Sequence, residues 1–307
     1  MENLLIPAAL AAGALLAVQA GANAQLSKAV GSPFGATAIQ LSVGTIALAV
    51  IAALTCTLSA LLAVDNARWW HVLGGTASAF YVVSTILLFP RLGAVVSVGL
   101  FIAGQMLASL ALDHFSLLGV SATPLGAPML IGGLAVLGGA AAIVLGQKGA
   151  ASTLSASKLG WVALALAAGA VLPVQGAVNA LLRADIGAPF AVGTVSFLVA
   201  ALSMTVVLIL AMALLKAPAP GLGGVSRMPW WGWLGGFAGA IYVTTVFVGM
   251  PVIGASAVVG FTVAGQQAAS VLVDRYGWFR LPRRPASALR LAGVAALLAG
   301  VALIKGL

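Results

Sequence analysis

Long apolar runs follow one another along almost the whole chain, and polar residues fall in short breaks between the runs or singly inside them. A helix crossing a bilayer core needs ~17–25 predominantly apolar residues, and the runs are of that length. They predict ten spans: Leu4–Ala24, Gly35–Val64, His71–Phe89, Gly93–Leu112, Pro128–Leu145, Gly160–Leu182, Phe190–Leu215, Gly232–Gly249, Ile253–Val273 and Ala288–Lys305. A membrane β-barrel would instead show ~10-residue alternating segments. These runs are unbroken and rich in Ala, Leu and Gly, so the predicted fold is an all-α integral membrane protein with ten transmembrane helices.

The pattern also repeats. At an offset of 156, Gln19, Asn23, Gly31, Pro33 and Phe34 match Gln175, Asn179, Gly187, Pro189 and Phe190. At an offset of 161, Trp69, Trp70, Gly74, Gly75, Tyr81, Pro90, Gly93, Gly99, Gly104, Gln105, Ser109 and Asp113 match Trp230, Trp231, Gly235, Gly236, Tyr242, Pro251, Gly254, Gly260, Gly265, Gln266, Ser270 and Asp274. A duplicated five-span unit follows, with halves 1–150 and 151–307. Five is odd, so the second half enters the bilayer from the opposite side, as an inverted repeat.

Charge tests that reading. The chain is 62% hydrophobic and 6% charged, against roughly 25% charged in soluble domains, and its net charge is +9. The breaks after spans 1, 3, 5, 7 and 9 hold eleven basic residues: Lys28, Arg91, Lys148, Lys158, Lys216, Arg227, Arg275, Arg280, Arg283, Arg284 and Arg290. The other side holds Arg68, Arg183 and Lys305. The positive-inside rule then puts the eleven in the cytoplasm and both termini outside. Equivalent connections carry opposite charge: "DHFSLLGVSATPLGAP" has no Lys or Arg, and "DRYGWFRLPRRPASALR" has five Arg. Membrane orientation explains the basic surplus better than nucleic acid does. The first residues imitate a secretory signal, but Glu2 stands where a basic start belongs and the "cleavage site" sequence recurs inside the chain, so the segment reads as a retained first span.

Polar residues inside the spans are the candidates for function. Gln19 and Asn23 lie four apart and share a helix face; Gln175 and Asn179 are their inverted counterparts, and inverted-repeat transporters bind solute where two such faces meet. Pro173, two residues before Gln175, can free a backbone carbonyl toward a cavity. The alternative use of these amides is hydrogen bonding between helices. Gln105 and Gln266, with Tyr81 and Tyr242, project further polar groups inward, as do Ser84 and Thr245. Gln105, Ser109 and Asp113 form a second stripe, repeated in Gln266, Ser270 and Asp274. The two carboxylates lie at span ends, either anchored by loop N–H groups or Arg, or titrating as coupling sites. The Trp pairs preceding spans 3 and 8 suit interfacial anchoring. Cys56, the sole cysteine, sits in an apolar run and reads as a small core residue. His71 and His114 have no Cys or Glu at metal-ligand spacing, and no nucleotide motif appears, so neither enzyme centre, metal nor cofactor is expected.

The early Gln and Asn followed by Gly-x-Pro-Phe, the Trp-Trp before "LGG" or "WLGG", the "AGQ" at Ala103–Gln105 and Ala264–Gln266, and Asp113-His114-Phe115 resemble the YdcZ-like family of the drug/metabolite transporter superfamily. The resemblance covers both halves and is to the fused, antiparallel ten-span form. It implies an inner-membrane transporter with spans 1 to 4 and 6 to 9 around a central cavity, and spans 5 and 10 peripheral. Small multidrug exporters of that superfamily carry a Glu in the first span, where this chain has Gln19 and Asn23; an amide cannot exchange a proton at physiological pH.

The expectation is therefore a secondary transporter of a small organic, neutral or zwitterionic metabolite or drug. Its partners would be that solute and the lipid bilayer, and it would act as a monomer or homodimer without nucleic acid. The alternatives are a membrane scaffold or assembly protein, a channel, and a proton-coupled exporter using Asp113 or Asp274. Cys labelling at Ser121 and Arg284 tests the topology: the two positions are expected on opposite sides of the membrane, and labelling from the same side would contradict the inverted repeat.

Overall fold

Ten helices of seventeen or more residues carry most of the described chain. They are α1 (Glu2–Val30), α2 (Pro33–Leu54), α3 (Thr76–Leu92), α4 (Ala94–His114) and α5 (Ala127–Leu145) in the first half. In the second half they are α6 (Leu159–Ile186), α7 (Pro189–Leu215), α8 (Leu234–Ile253), α9 (Ala255–Tyr276) and α10 (Ala288–Lys305). The structure, a computed structural model, describes residues 2–92, 94–121, 126–145, 159–281, 283 and 287–305. The boundary between residues 150 and 151, and the residues Gly93, Lys148, Lys158 and Arg284, lie outside the described residues. Eight of the helical stretches are long and apolar enough to cross a bilayer, and α5 and α10 are shorter apolar helices.

Two expectations need correction. Span 2 was expected to reach Val64, but α2 ends at Leu54 and a 3-10 helix covers Leu58–Asn66. The apolar pattern continues there because Ala60, Leu61, Ala63 and Val64 pack against a core that includes Leu182, Ile186 and Val192 of α6 and α7. Cys56 is consequently no core residue; it is exposed, with φ of 55°, in the turn that ends α2. Hydropathy alone cannot distinguish a segment buried by lipid from one buried by neighbouring helices.

The α1–α2 and α6–α7 links are built alike. Gly31 and Gly187 adopt φ of 70° and 77°, and their N–H groups donate to the Ser27 and Arg183 carbonyls at 2.9 Å. This left-handed C-terminal turn favours Gly, and Pro33 and Pro189 then begin the next helices, where the missing N–H costs nothing.

Packing between the halves is unchanged when the halves are exchanged. α1 packs on α8 and α9, while its counterpart α6 packs on α3 and α4; α2 packs on α7, and α5 on α10. The seams are glycine contacts in matching pairs. A Cβ on Gly13 would stand 1.9 Å from the Thr262 carbonyl oxygen and one on Gly265 2.0 Å from that of Leu10. The duplicated contacts are Gly169 with the Phe101 oxygen and Gly104 with the Leu166 oxygen, each at 2.1 Å. Such approach is open only to residues without a side chain, and close packing is what associates helices in lipid.

Gly104→Val should force α4 from α6 and lower stability by about 1–3 kcal/mol, the usual cost of overpacking. Gly138→Ala, whose added carbon would meet nothing within 4 Å, should leave the melting temperature unchanged or slightly higher. Equal effects of the two substitutions in a thermal melt in detergent would contradict the close-approach account.

Candidate solute site

The amide stripes of α1 and α6 occupy equivalent places in the two halves and meet different chemistry. On α6, Gln175 is buried and exchanges two hydrogen bonds with Ser78 of α3: its Nε2 donates to Ser78 Oγ at 2.9 Å, and that hydroxyl donates to Gln175 Oε1 at 3.1 Å. Asn179 donates from Nδ2 to Ser196 Oγ on α7 at 2.9 Å, and a Cβ on Gly74 would stand 2.5 Å from its Oδ1. On α1, the position equivalent to Ser78 is Gly239 of α8, whose added Cβ would stand 2.8 Å from Gln19 Nε2. The position equivalent to Ser196 is Gln40 of α2. Gln19 therefore faces a glycine where Gln175 faces a hydroxyl.

Asn23 and Gln40 extend the contrast. Gln40 Nε2 donates to the Gly235 carbonyl at 3.4 Å, a long contact, and the buried acceptors Asn23 Oδ1 and Gln40 Oε1 have no hydrogen-bond partner among the described residues. Asn179 Oδ1 and Thr244 Oγ1 are in the same condition. A buried acceptor left unmatched costs about 1–3 kcal/mol, so each of these atoms calls for a donor from a bound molecule or water. Sequence reasoning missed Gln40; its signal was the polar pair at offset 156 with Ser196.

The remaining candidates surround these helices. Tyr81 packs its ring on Phe101, centroids 5.1 Å apart, and Tyr242 is buried. Gln105 is buried on α4 and Gln266 half-buried on α9. Ser109 and Ser270 bond back to the carbonyls of Met106 and Gln267 at 2.9 Å.

The carboxylates belong elsewhere. Asp113, at the end of α4, is buried and accepts hydrogen bonds from the Ala255 N–H at 2.7 Å, the Ser256 N–H at 2.8 Å and the Ser256 hydroxyl. It caps the N-terminus of α9, where the helix dipole favours an anion. Gly254, with φ of 88°, makes the break between α8 and α9 that exposes those N–H groups. Asp274 pairs with Arg290 at 2.8 Å, and Arg290 also donates to Ser270 Oγ at 3.2 Å. In the sequence, Ser256 corresponds to Val95, which carries no hydroxyl. A further pair, His71 Nδ1 with Asp185 Oδ2 at 2.5 Å, joins residues 114 apart and had no local signal.

A family model described as "Putative inner membrane exporter, YdcZ" matches residues 4–142 and 160–303. The chain belongs to this family. A solved structure titled only "Crystal structure of protein" superposes with a TM-score of 0.70 and 18% identity, covering 98% of this chain and 95% of that one; this likeness concerns the fold alone. No curated protein matches. As a member of an inner-membrane exporter family the chain is a multi-pass membrane protein and a transporter in general terms. Within it, Asp113 and Asp274 hold helix ends together, and the described polar side chains lining the α1–α2–α8 junction carry no charge.

Asp113→Asn removes one acceptor and faces an amide N–H toward donors of α9, so the melting temperature should fall by the equivalent of about 1.5–3 kcal/mol, the worth of hydrogen bonds to a charged group. Unchanged stability with loss of gradient-dependent transport would make Asp113 a proton carrier instead of a cap.

Proposed function

We propose that the chain is a secondary transporter of a small organic, neutral or zwitterionic solute, working by alternating access between inverted repeats 1–150 and 151–307 with both termini outside. The exchange-symmetric packing and the charge asymmetry of the connections support the inverted arrangement, since helices related by such a pseudo-two-fold can rock against one another around a central site. The observation that carries the solute reading is the pair of acceptors without a partner among the described residues, Asn23 Oδ1 and Gln40 Oε1, beside Gln19 over Gly239. Acceptors without donors favour a solute bearing N–H or O–H groups, and an uncharged lining disfavours a permanent cation, whose desolvation nothing there offsets. Gln175 and Asn179, bonded to Ser78 and Ser196, fit the helix-joining role better, and here the scaffold alternative draws its support.

Leucine substitutions separate the roles. Gln19→Leu and Asn23→Leu should abolish solute stabilisation in a thermal-shift screen of metabolites while leaving the apo melting temperature within ~0.5 kcal/mol equivalent, the range of substitutions that break no structural contact. Gln175→Leu should instead lower the apo melting temperature, because it orphans Ser78. Equal losses of stability in all three would favour the scaffold.

Charge selectivity gives a second check. A quaternary ammonium dye should not accumulate in proteoliposomes under an imposed pH gradient. Strong accumulation abolished by Asp113→Asn or Asp274→Asn would favour the proton-coupled exporter.

A further inference from the structure

At the end of α1, three segments distant in sequence meet around a cavity of about 190 Å³. Gln25 and Lys28 come from the last turns of α1, Arg227 from the segment before α8, and Arg280 from the turn after α9. All three cations are exposed at its rim. Neither of the two ion pairs among the described residues, His71–Asp185 and Asp274–Arg290, involves any of them. A surplus of basic residues on one membrane face is accounted for by orientation alone. Orientation does not require that they converge from three segments on one concavity.

The walls are fixed tightly enough to hold a shape. Gly221 N–H donates to the Val30 carbonyl at 2.8 Å, and a Cβ on Gly224 would stand 2.2 Å from the Ala29 carbonyl oxygen, so the segment before α8 is sealed onto the end of α1. Gln25 Nε2 donates to the Phe279 carbonyl at 2.8 Å, which fastens the turn carrying Arg280. The Phe279 ring lies against Gly21 and edge-on to Trp231.

We propose that this cavity binds a phosphate-bearing anion through Lys28, Arg227 and Arg280. The volume is below the ~300–1,000 Å³ of pockets for drug-sized ligands, which suits a compact headgroup. Guanidinium groups and an ammonium are the side chains that match phosphate oxygens, and basic pockets between membrane helices hold anionic lipid headgroups. The bound anion bridges α1, the segment before α8 and the turn after α9, and its α1 contact, Lys28, lies five residues along from Asn23. It thereby holds this end of the bundle together. The site is separate from the amide lining and does not depend on the transport reading.

The test uses the purified full chain in a neutral detergent, with melting temperature read against inorganic phosphate, short-chain phosphatidylglycerol and short-chain phosphatidylcholine at matched ionic strength. Phosphatidylglycerol, phosphate or both should raise the melting temperature, and phosphatidylcholine should not. A rise with the lipid alone assigns the headgroup, and a rise with phosphate assigns a soluble anion. The rise should vanish in Lys28→Gln/Arg227→Gln/Arg280→Gln and persist in Arg283→Gln, an exposed cation outside the cavity lining. If the triple variant does not fold, Arg227→Gln and Arg280→Gln singly should each raise the half-saturating concentration several-fold. No rise with either anion, or the same rise in the cavity variants as in the wild type, overturns the proposal.

Discussion

The architecture depends on backbone meeting backbone across the two halves. At Gly13, Gly104, Gly169 and Gly265 a single added carbon would land about 2 Å from a carbonyl oxygen of the facing helix, so these seams exist only because the side chains are missing. In lipid no hydrophobic force draws apolar helices together, and the dispersion gained at such contacts is the attraction available. The same approach brings α1 against α8 and α6 against α3 closely enough for short side chains to reach across. Gln175 meets Ser78, and Gln19 meets Gly239, at equivalent points of the two seams.

A symmetric frame thus carries unequal chemistry. Where α6 finds hydroxyls at Ser78 and Ser196, α1 finds a glycine and another amide; among the described residues Asn23 Oδ1 and Gln40 Oε1 are unmatched on that side, and Asn179 Oδ1 on the other. The carboxylates diverge in the same way: Ser256 and the N-terminus of α9 hold Asp113, while Asp274 takes Arg290. Duplication supplies two copies of each position, and substitution of one partner releases one copy from structural duty. This is the physical basis for proposing joining at Gln175 and solute contact at Gln19.

Much of this was legible in the sequence, and the failures are instructive. The helices follow from apolar run length, because a bilayer imposes one dimension on every span. The repeats follow from registered coincidences such as Gly31-x-Pro33-Phe34 with Gly187-Ala188-Pro189-Phe190. The end of α2 did not follow: Leu58–Asn66 is apolar for packing on α6 and α7, and hydropathy is blind to which surface does the burying. Treating Gln19 and Gln175 as equivalent was natural from spacing alone, since their difference resides in residues 78 and 239 on other helices. Pairs such as His71 with Asp185 join positions that only the folded chain brings together.

The most direct measurement restores the missing partner. Gly239→Ser gives α8 the hydroxyl that Ser78 supplies on α3, opposite Gln19, whose flexible amide end is the nearest atom at 2.8 Å and can yield. Counterflow in proteoliposomes, with a metabolite that stabilises the wild-type chain, would be compared between wild type and variant alongside their melting temperatures. Engaging Gln19 should preserve or raise stability and suppress counterflow. Undiminished counterflow in a variant of raised stability would contradict the assignment of solute contact to α1.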